Sequence, residues 1–129
     1  MKPRNVFRIG ALLLALAIAA GAFGAHGLKG RVTVDKLETF EIGVRYQFYN
    51  ALGLMAAASW LVKSGSQTRR NRVAVMMILI GTAIFSGTLY GIVVGGPRWL
   101  GAITPIGGTL QIIGWVILAG MTDDTTDTQ

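Results

Sequence analysis

Four stretches of this chain carry almost no charge. They are residues 9–27, 43–62, 73–94 and 104–121, with lengths of 19, 20, 22 and 18, together 79 of 129 residues. Seventeen of the 18 formal charges fall outside them; the exception is Arg45, near the end of the second stretch. A helix rises about 1.5 Å per residue, so roughly 17–25 apolar residues cross the hydrocarbon core of a bilayer. All four stretches are long enough. A large soluble protein could bury such helices, but this chain has no material to bury them with. The expected fold is therefore an all-α membrane protein, an antiparallel bundle of four transmembrane helices with short loops, over residues 1–121. Residues 122–129 read as a short acidic, Thr-rich tail, disordered and without apolar content.

Composition agrees. Charged residues make up 14 % of the chain, against about 25 % in an ordinary soluble domain. That leaves too little polar surface for a small soluble globule, and too much apolar content for intrinsic disorder. Cysteine is absent, which excludes disulfides, thiolate metal sites and thiol nucleophiles.

The first stretch has a rival reading. A basic start, an apolar run and Ala20-Gly21-Ala22 together look like a secretory signal peptide with a small-residue cleavage site. Against it, the apolar run continues past Ala22 to Gly27, and three remaining spans would lose their fourth packing partner.

The net charge of +6 is distributed as a topology signal. Lys2, Arg4, Arg8, Lys63, Arg69, Arg70 and Arg72 lie on one side of the expected membrane. Lys29, Arg31, Lys36 and Arg98 lie on the other, with Arg45 near it. The positive-inside rule then puts both termini in the cytoplasm. The basic excess suits anionic lipid headgroups. It is not a nucleic-acid footprint, because there is no soluble domain to present one.

Local signals refine the helices. Asp35 offers an N-cap with Glu38 three residues on, so the second helix is expected to begin near Lys36 and run to Val62. Trp60 and Lys63 mark its far end as interfacial anchors. The third helix is expected after Arg72. In it Ala83, Gly87, Gly91 and Gly95 recur every fourth residue, a pattern that reads as a closely packed face. Thr104-Pro105 reads as a helix start, with a hydroxyl N-cap followed by proline.

Several segments, taken in order, resemble one family. They are Gly21-Ala22-Phe23-Gly24-Ala25-His26-Gly27, then Phe40-Glu41 with Gly43-Val44-Arg45-Tyr46-Gln47-Phe48-Tyr49 and Ala51-Leu52-Gly53. Phe85-Ser86-Gly87-Thr88-Leu89-Tyr90 and Leu100-Gly101-Ala102-Ile103-Thr104-Pro105-Ile106-Gly107-Gly108 complete the set. Together they resemble the small inner-membrane proteins typified by YgdD and YwdK, a family with a eukaryotic transmembrane relative. The resemblance covers about residues 5–120. It implies a membrane bundle and no defined reaction. The family often has histidine where this chain has Asn50.

Catalytic signatures are scarce. There is no phosphate-cradling loop, no zinc-binding helix motif and no calcium loop. A metal site would need His26, Glu41 and a further ligand that nothing fixes in place, so no metal and no cofactor are expected. Glu41 and Arg45 stand four residues apart on one helix face, with Tyr49 four further on. An ionisable group at the membrane boundary is a functional candidate; the plain alternative is a snorkelling arginine that anchors the helix. If alternate helices reverse direction, His26, Glu41, Arg45, Tyr46, Tyr49, Tyr90 and Thr104 gather at one membrane face. These seven form the candidate polar binding cluster, with Glu41 and Arg45 expected to link it by hydrogen bonds to His26 or a tyrosine.

The expected function is a non-enzymatic membrane component that binds a protein or lipid partner. Beyond the lipid bilayer itself, the partners in view are another membrane protein or a second copy in a homo-oligomer. The alternative is a small transporter or channel subunit for an ion or an apolar molecule. The middles of the third and fourth stretches offer such a path only Thr82, Ser86, Thr88, Thr109 and Gln111, and no charge.

Overall fold

The computed structural model of the chain describes residues 1–120; the expected tail lies outside the described residues. The described chain is helical and contains four helices. α1 (Pro3–Phe23) continues into a π-helical turn, Gly24–Leu28. α2 runs over Val34–Ser64, α3 over Arg69–Val93 and α4 over Leu100–Ala119. Three are long and apolar enough to cross a membrane: Pro3–Leu28, Arg69–Val93 and Leu100–Ala119. α2 is the longest, at 31 residues, but its hydropathy is lowered by Glu41, Arg45, Gln47 and Asn50.

The helix ends depart from the sequence expectations for identifiable reasons. α2 is capped by Thr33, whose hydroxyl accepts from Lys36 N at 3.3 Å. Asp35 thus lies inside the first turn, where its carboxylate favours the positive end of the helix dipole, and does not act as the cap. α3 begins a turn earlier than Arg72 because Thr68 caps it, accepting from Asn71 N at 3.1 Å. The start expected at Thr104-Pro105 is replaced by one at Leu100. A tight turn precedes it, with Leu100 N bonded to the Pro97 carbonyl and Gly101 N to that of Arg98. Thr104 is then an interior residue whose hydroxyl donates back to the Leu100 carbonyl at 3.0 Å. Gly65, at φ 68°, closes α2 in the left-handed conformation that suits glycine.

α1 packs along α2, α2 along α3, and α3 along α4. The α3–α4 contact is backbone on backbone. A Cβ on Gly107 would lie 2.5 Å from Phe85 N, and one on Gly81 would lie 2.7 Å from the Gly107 carbonyl oxygen. The expected small-residue face therefore sits elsewhere: Gly87 is exposed, with nothing within 4 Å of an added Cβ. Two apolar clusters fill the interior. Val6, Leu54, Leu61, Val75, Ile78 and Leu118 close one end, with residues from all four helices. Leu28, Phe40 and Val93 close the other, backed by Val44 and Tyr90.

Candidate functional site

An amide inside an apolar helix is costly unless its donor and acceptor find partners. α2 carries Gln47 and Asn50, three residues apart and so on one face; α4 carries Gln111. All three are buried, and midway along the helices Asn50 and Gln111 are joined. Asn50 Nδ2 donates to Gln111 Oε1 at 2.9 Å and to the Tyr46 carbonyl at 2.9 Å, while Asn50 Oδ1 accepts from Trp115 Nε1 at 2.8 Å. Gln111 Nε2 donates to the Gly81 carbonyl of α3 at 3.0 Å. Gln47 brings in α1: its Nε2 donates to the Leu13 carbonyl at 2.8 Å and its Oε1 accepts from the Tyr90 phenol at 2.7 Å. Ser86 Oγ donates to the Gly43 carbonyl at 2.7 Å, and the Thr88 and Thr104 hydroxyls meet at 2.6 Å.

These bonds cross-link all four helices through neutral groups. Each interhelical bond of this kind contributes about 0.6–1.7 kcal/mol within a membrane. The network holds no formally charged side chain, and its hydroxyls are all hydrogen-bonded. Among the described residues, the one buried side-chain oxygen or nitrogen without a hydrogen-bond partner is Asn71 Oδ1, which lies outside it. Chemically the network is a fastening, and its polar atoms are engaged with one another.

Beside it, α1 and α3 leave a groove of ≈ 350 Å³. Leu13, Leu16 and Ala20 form one wall, Ala83 and Gly87 the other, and Gln47 and Ser86 lie at its base. A second groove, ≈ 310 Å³, runs on the other side of α1.

The residues singled out from sequence fall into four groups. Glu41 and Arg45 share that second groove, with Gly24 and Phe48, and both are exposed. Tyr46 and Tyr49 stack edge to face at 5.7 Å, and Tyr46 also packs on Phe85 at 5.1 Å. Tyr90 and Thr104 belong to the interior: Tyr90 bonds Gln47 and packs on Phe40 at 5.0 Å, and Thr104 bonds Thr88. His26 is exposed on the π-helical turn. Among the described residues no hydrogen bond or ion pair joins Glu41 or Arg45 to His26 or a tyrosine. The sequence reading passed over Gln47, Asn50 and Trp115 as members of a site. The signal was there: two amides on one face of a charge-poor helix demand partners on the helices they meet.

Comparison with known proteins places the chain. Residues 20–108 match the family model described as protein of unknown function (DUF423). A UPF0382 membrane protein of Staphylococcus epidermidis is 41 % identical over 110 residues, covering 85 % of this chain and 88 % of that one. The UPF0382 membrane protein YwdK of Bacillus subtilis is 40 % identical over 110 residues, covering 85 % and 89 %. A Staphylococcus aureus relative of the same description reaches 43 % over 110 residues, covering 85 % and 88 %. No solved structure matches. With its apolar helices and these relatives, the chain is a membrane protein and belongs to the DUF423 family, the UPF0382 membrane proteins.

Proposed function

We propose that the chain is a four-span antiparallel bundle of the bacterial inner membrane, both termini cytoplasmic, that acts without catalysis by receiving the transmembrane helix of a partner protein. The helix pairings support the reversal of direction. Gly10 approaches Ala51 and Met55 while Gly24 approaches Phe40, and Gly81 approaches Gln111 while Gly91 approaches Leu100. The span assignment for α2 is supported by its outward face, where Ile42, Tyr46, Tyr49, Leu52 and Val62 are exposed and the amides turn inward.

The observation that carries the reading is the α1/α3 groove. Ala83 and Gly87 are exposed on its wall, and Gly87 leaves the α3 backbone open there. A mobile acyl chain gains little from such a surface. A second helix gains close backbone approach and Cα–H contacts. The central polar network, already engaged, is poorly suited to pass an ion, which favours a binding role over transport.

A photoreactive amino acid at position 83 tests this in cells. The expected result is one discrete protein adduct, identified by mass spectrometry and abolished by Gly87→Leu, with only lipid adducts from the same probe at position 116. Lipid adducts alone at position 83, or ion flux carried by the purified protein in liposomes, overturn the reading.

A further inference from the structure

The network and the two grooves leave out the most strongly charged part of the molecule. Where α1 and α3 begin, the start of α1 and the segment entering α3 enclose a cleft of ≈ 760 Å³. Its lining includes Lys2, Arg4, Arg8 and Arg72, with Asn5 and Gln67, and among the described residues no acidic side chain. Four cations around one cleft repel one another unless an anion sits among them. Both α1 and α3 begin here, so two helix dipoles add partial positive charge.

A smaller cavity adjoins it, sharing Gln67 and Arg72 in its lining and extending inward to Asn71. It measures ≈ 20 Å³, room for one water-sized group, which needs about 10–15 Å³. Asn71 is 1 % exposed, and its Nδ2 donates to Ser66 Oγ at 3.2 Å. Asn71 Oδ1 is buried and accepts no hydrogen bond from any described residue. An acceptor of this kind calls for a donor, and a hydroxyl fits the space. A turn further along the helices, Phe7 and Met76 expose apolar surface.

We infer that this end of the bundle is a binding site for an anionic glycerophospholipid whose headgroup carries free hydroxyls. The phosphodiester sits among Arg4, Arg8, Arg72 and Lys2, a headgroup hydroxyl donates to Asn71 Oδ1, and the acyl chains run down past Phe7 and Met76. Guanidinium forks match phosphate oxygens, and basic pockets at helix ends are suited to such headgroups. The site is separate from the α1/α3 groove and stands whether or not a partner helix occupies that groove.

Native mass spectrometry on the detergent-purified full chain tests it, with three lipids offered in turn. Phosphatidylglycerol has the phosphodiester and the hydroxyls, phosphatidylmethanol has the phosphodiester alone, and phosphatidylcholine has no net charge. The expected order of retention is phosphatidylglycerol, then phosphatidylmethanol, then phosphatidylcholine. Arg4→Gln with Arg72→Gln should weaken phosphatidylglycerol binding about thirtyfold, while Arg31→Gln with Arg98→Gln leaves it unchanged. Circular dichroism of each variant confirms that the helices persist. Equal retention of phosphatidylglycerol and phosphatidylcholine, or indifference to the Arg4 and Arg72 changes in a folded protein, overturns the proposal. Displacement by inorganic phosphate would make the site one for free anions and overturns the lipid assignment. Binding that appears only after removal of residues 121–129 would make the acidic tail the occupant and overturns it equally.

Discussion

The side chains of Asn50 and Gln111 meet at 2.9 Å in the interior, each amide having further partners behind it. Asn50 uses both amide hydrogens, on Gln111 Oε1 and the Tyr46 carbonyl, and offers its oxygen to Trp115 Nε1. One side chain on α2 thereby holds two residues of α4. Together with the Trp115 ring packed against Gly53, these bonds tie α4 to α2.

Replacing Asn50 by leucine leaves Gln111 Oε1 and Trp115 Nε1 without their partner. We expect Asn50→Leu to destabilise the bundle by about 1–2 kcal/mol, read from unfolding in detergent. Gln111→Leu should cost a similar amount, and the double variant less than the sum, since it removes both ends of one bond. Strict additivity would show that the two amides act independently. Histidine is the informative replacement. A neutral imidazole offers one donor and one acceptor, so Asn50→His should retain more of the stability than Asn50→Leu.

Glycines on α3 and α4 should separate into two classes. Gly107→Ala places a methyl 2.5 Å from the Phe85 backbone nitrogen, and backbone cannot step aside cheaply. We expect a loss of about 1–3 kcal/mol from forced separation of the helices. Gly87→Ala meets nothing within 4 Å and should be neutral, or stabilising by up to about 1 kcal/mol through helix propensity. Thermal unfolding of the two variants side by side checks this; equal losses would place α3 differently.

Much of the fold is legible in the sequence because lipid excludes charge without regard to detail. Each charge-free stretch marks one helix. The ends are harder, since helices continue beyond the apolar run until a cap such as Thr33 or Thr68 stops them. A pattern also shows which residues share a face but not which helix that face meets. Gln47 and Asn50 are visibly on one side of α2, yet nothing in the chain announces that Leu13, Tyr90, Gln111 and Trp115 are their partners. For the same reason Ala83, Gly87 and Gly91 read as a packed face, whereas the tightest contact runs through Gly81 and Gly107. The seven candidate site residues share an end only if alternate helices reverse direction, and contact among them further needs a rotation about each helix axis that the sequence does not carry.

His26 and Arg45 are exposed, so His26→Ala and Arg45→Ala should change stability by no more than about 0.5 kcal/mol. If the polar face is a binding surface, both lower partner association while membrane levels match the parent chain. Arg69→Ala and Arg70→Ala, at the opposite end, serve as the comparison. Reduced membrane levels of the Arg45→Ala protein without loss of association would mark Arg45 as an anchor, and no effect from any of the four would remove the cluster from consideration.

The path of α2 decides the topology. Its 31 residues span about 46 Å at 1.5 Å per residue, more than the ~30 Å hydrocarbon core. Its average polarity argues against a span, but that average counts Gln47 and Asn50, which are buried against the other helices. Of the groups left on its outer face within the 43–62 stretch, Arg45 lies near one end and can reach the interface, and Ser59 Oγ is bonded to the Met55 carbonyl at 2.9 Å. A spanning α2 is therefore affordable in lipid once the bundle has formed. Reporter fusions at positions 30, 67, 97 and 129 test this directly. With four spans the signals alternate: periplasmic at 30 and 97, cytoplasmic at 67 and 129, following the excess of Lys and Arg at that end. If α2 instead lay along the membrane surface, fusions at 30 and 67 would report the same side. An alternating pattern of opposite sign would keep the four spans and reverse their orientation.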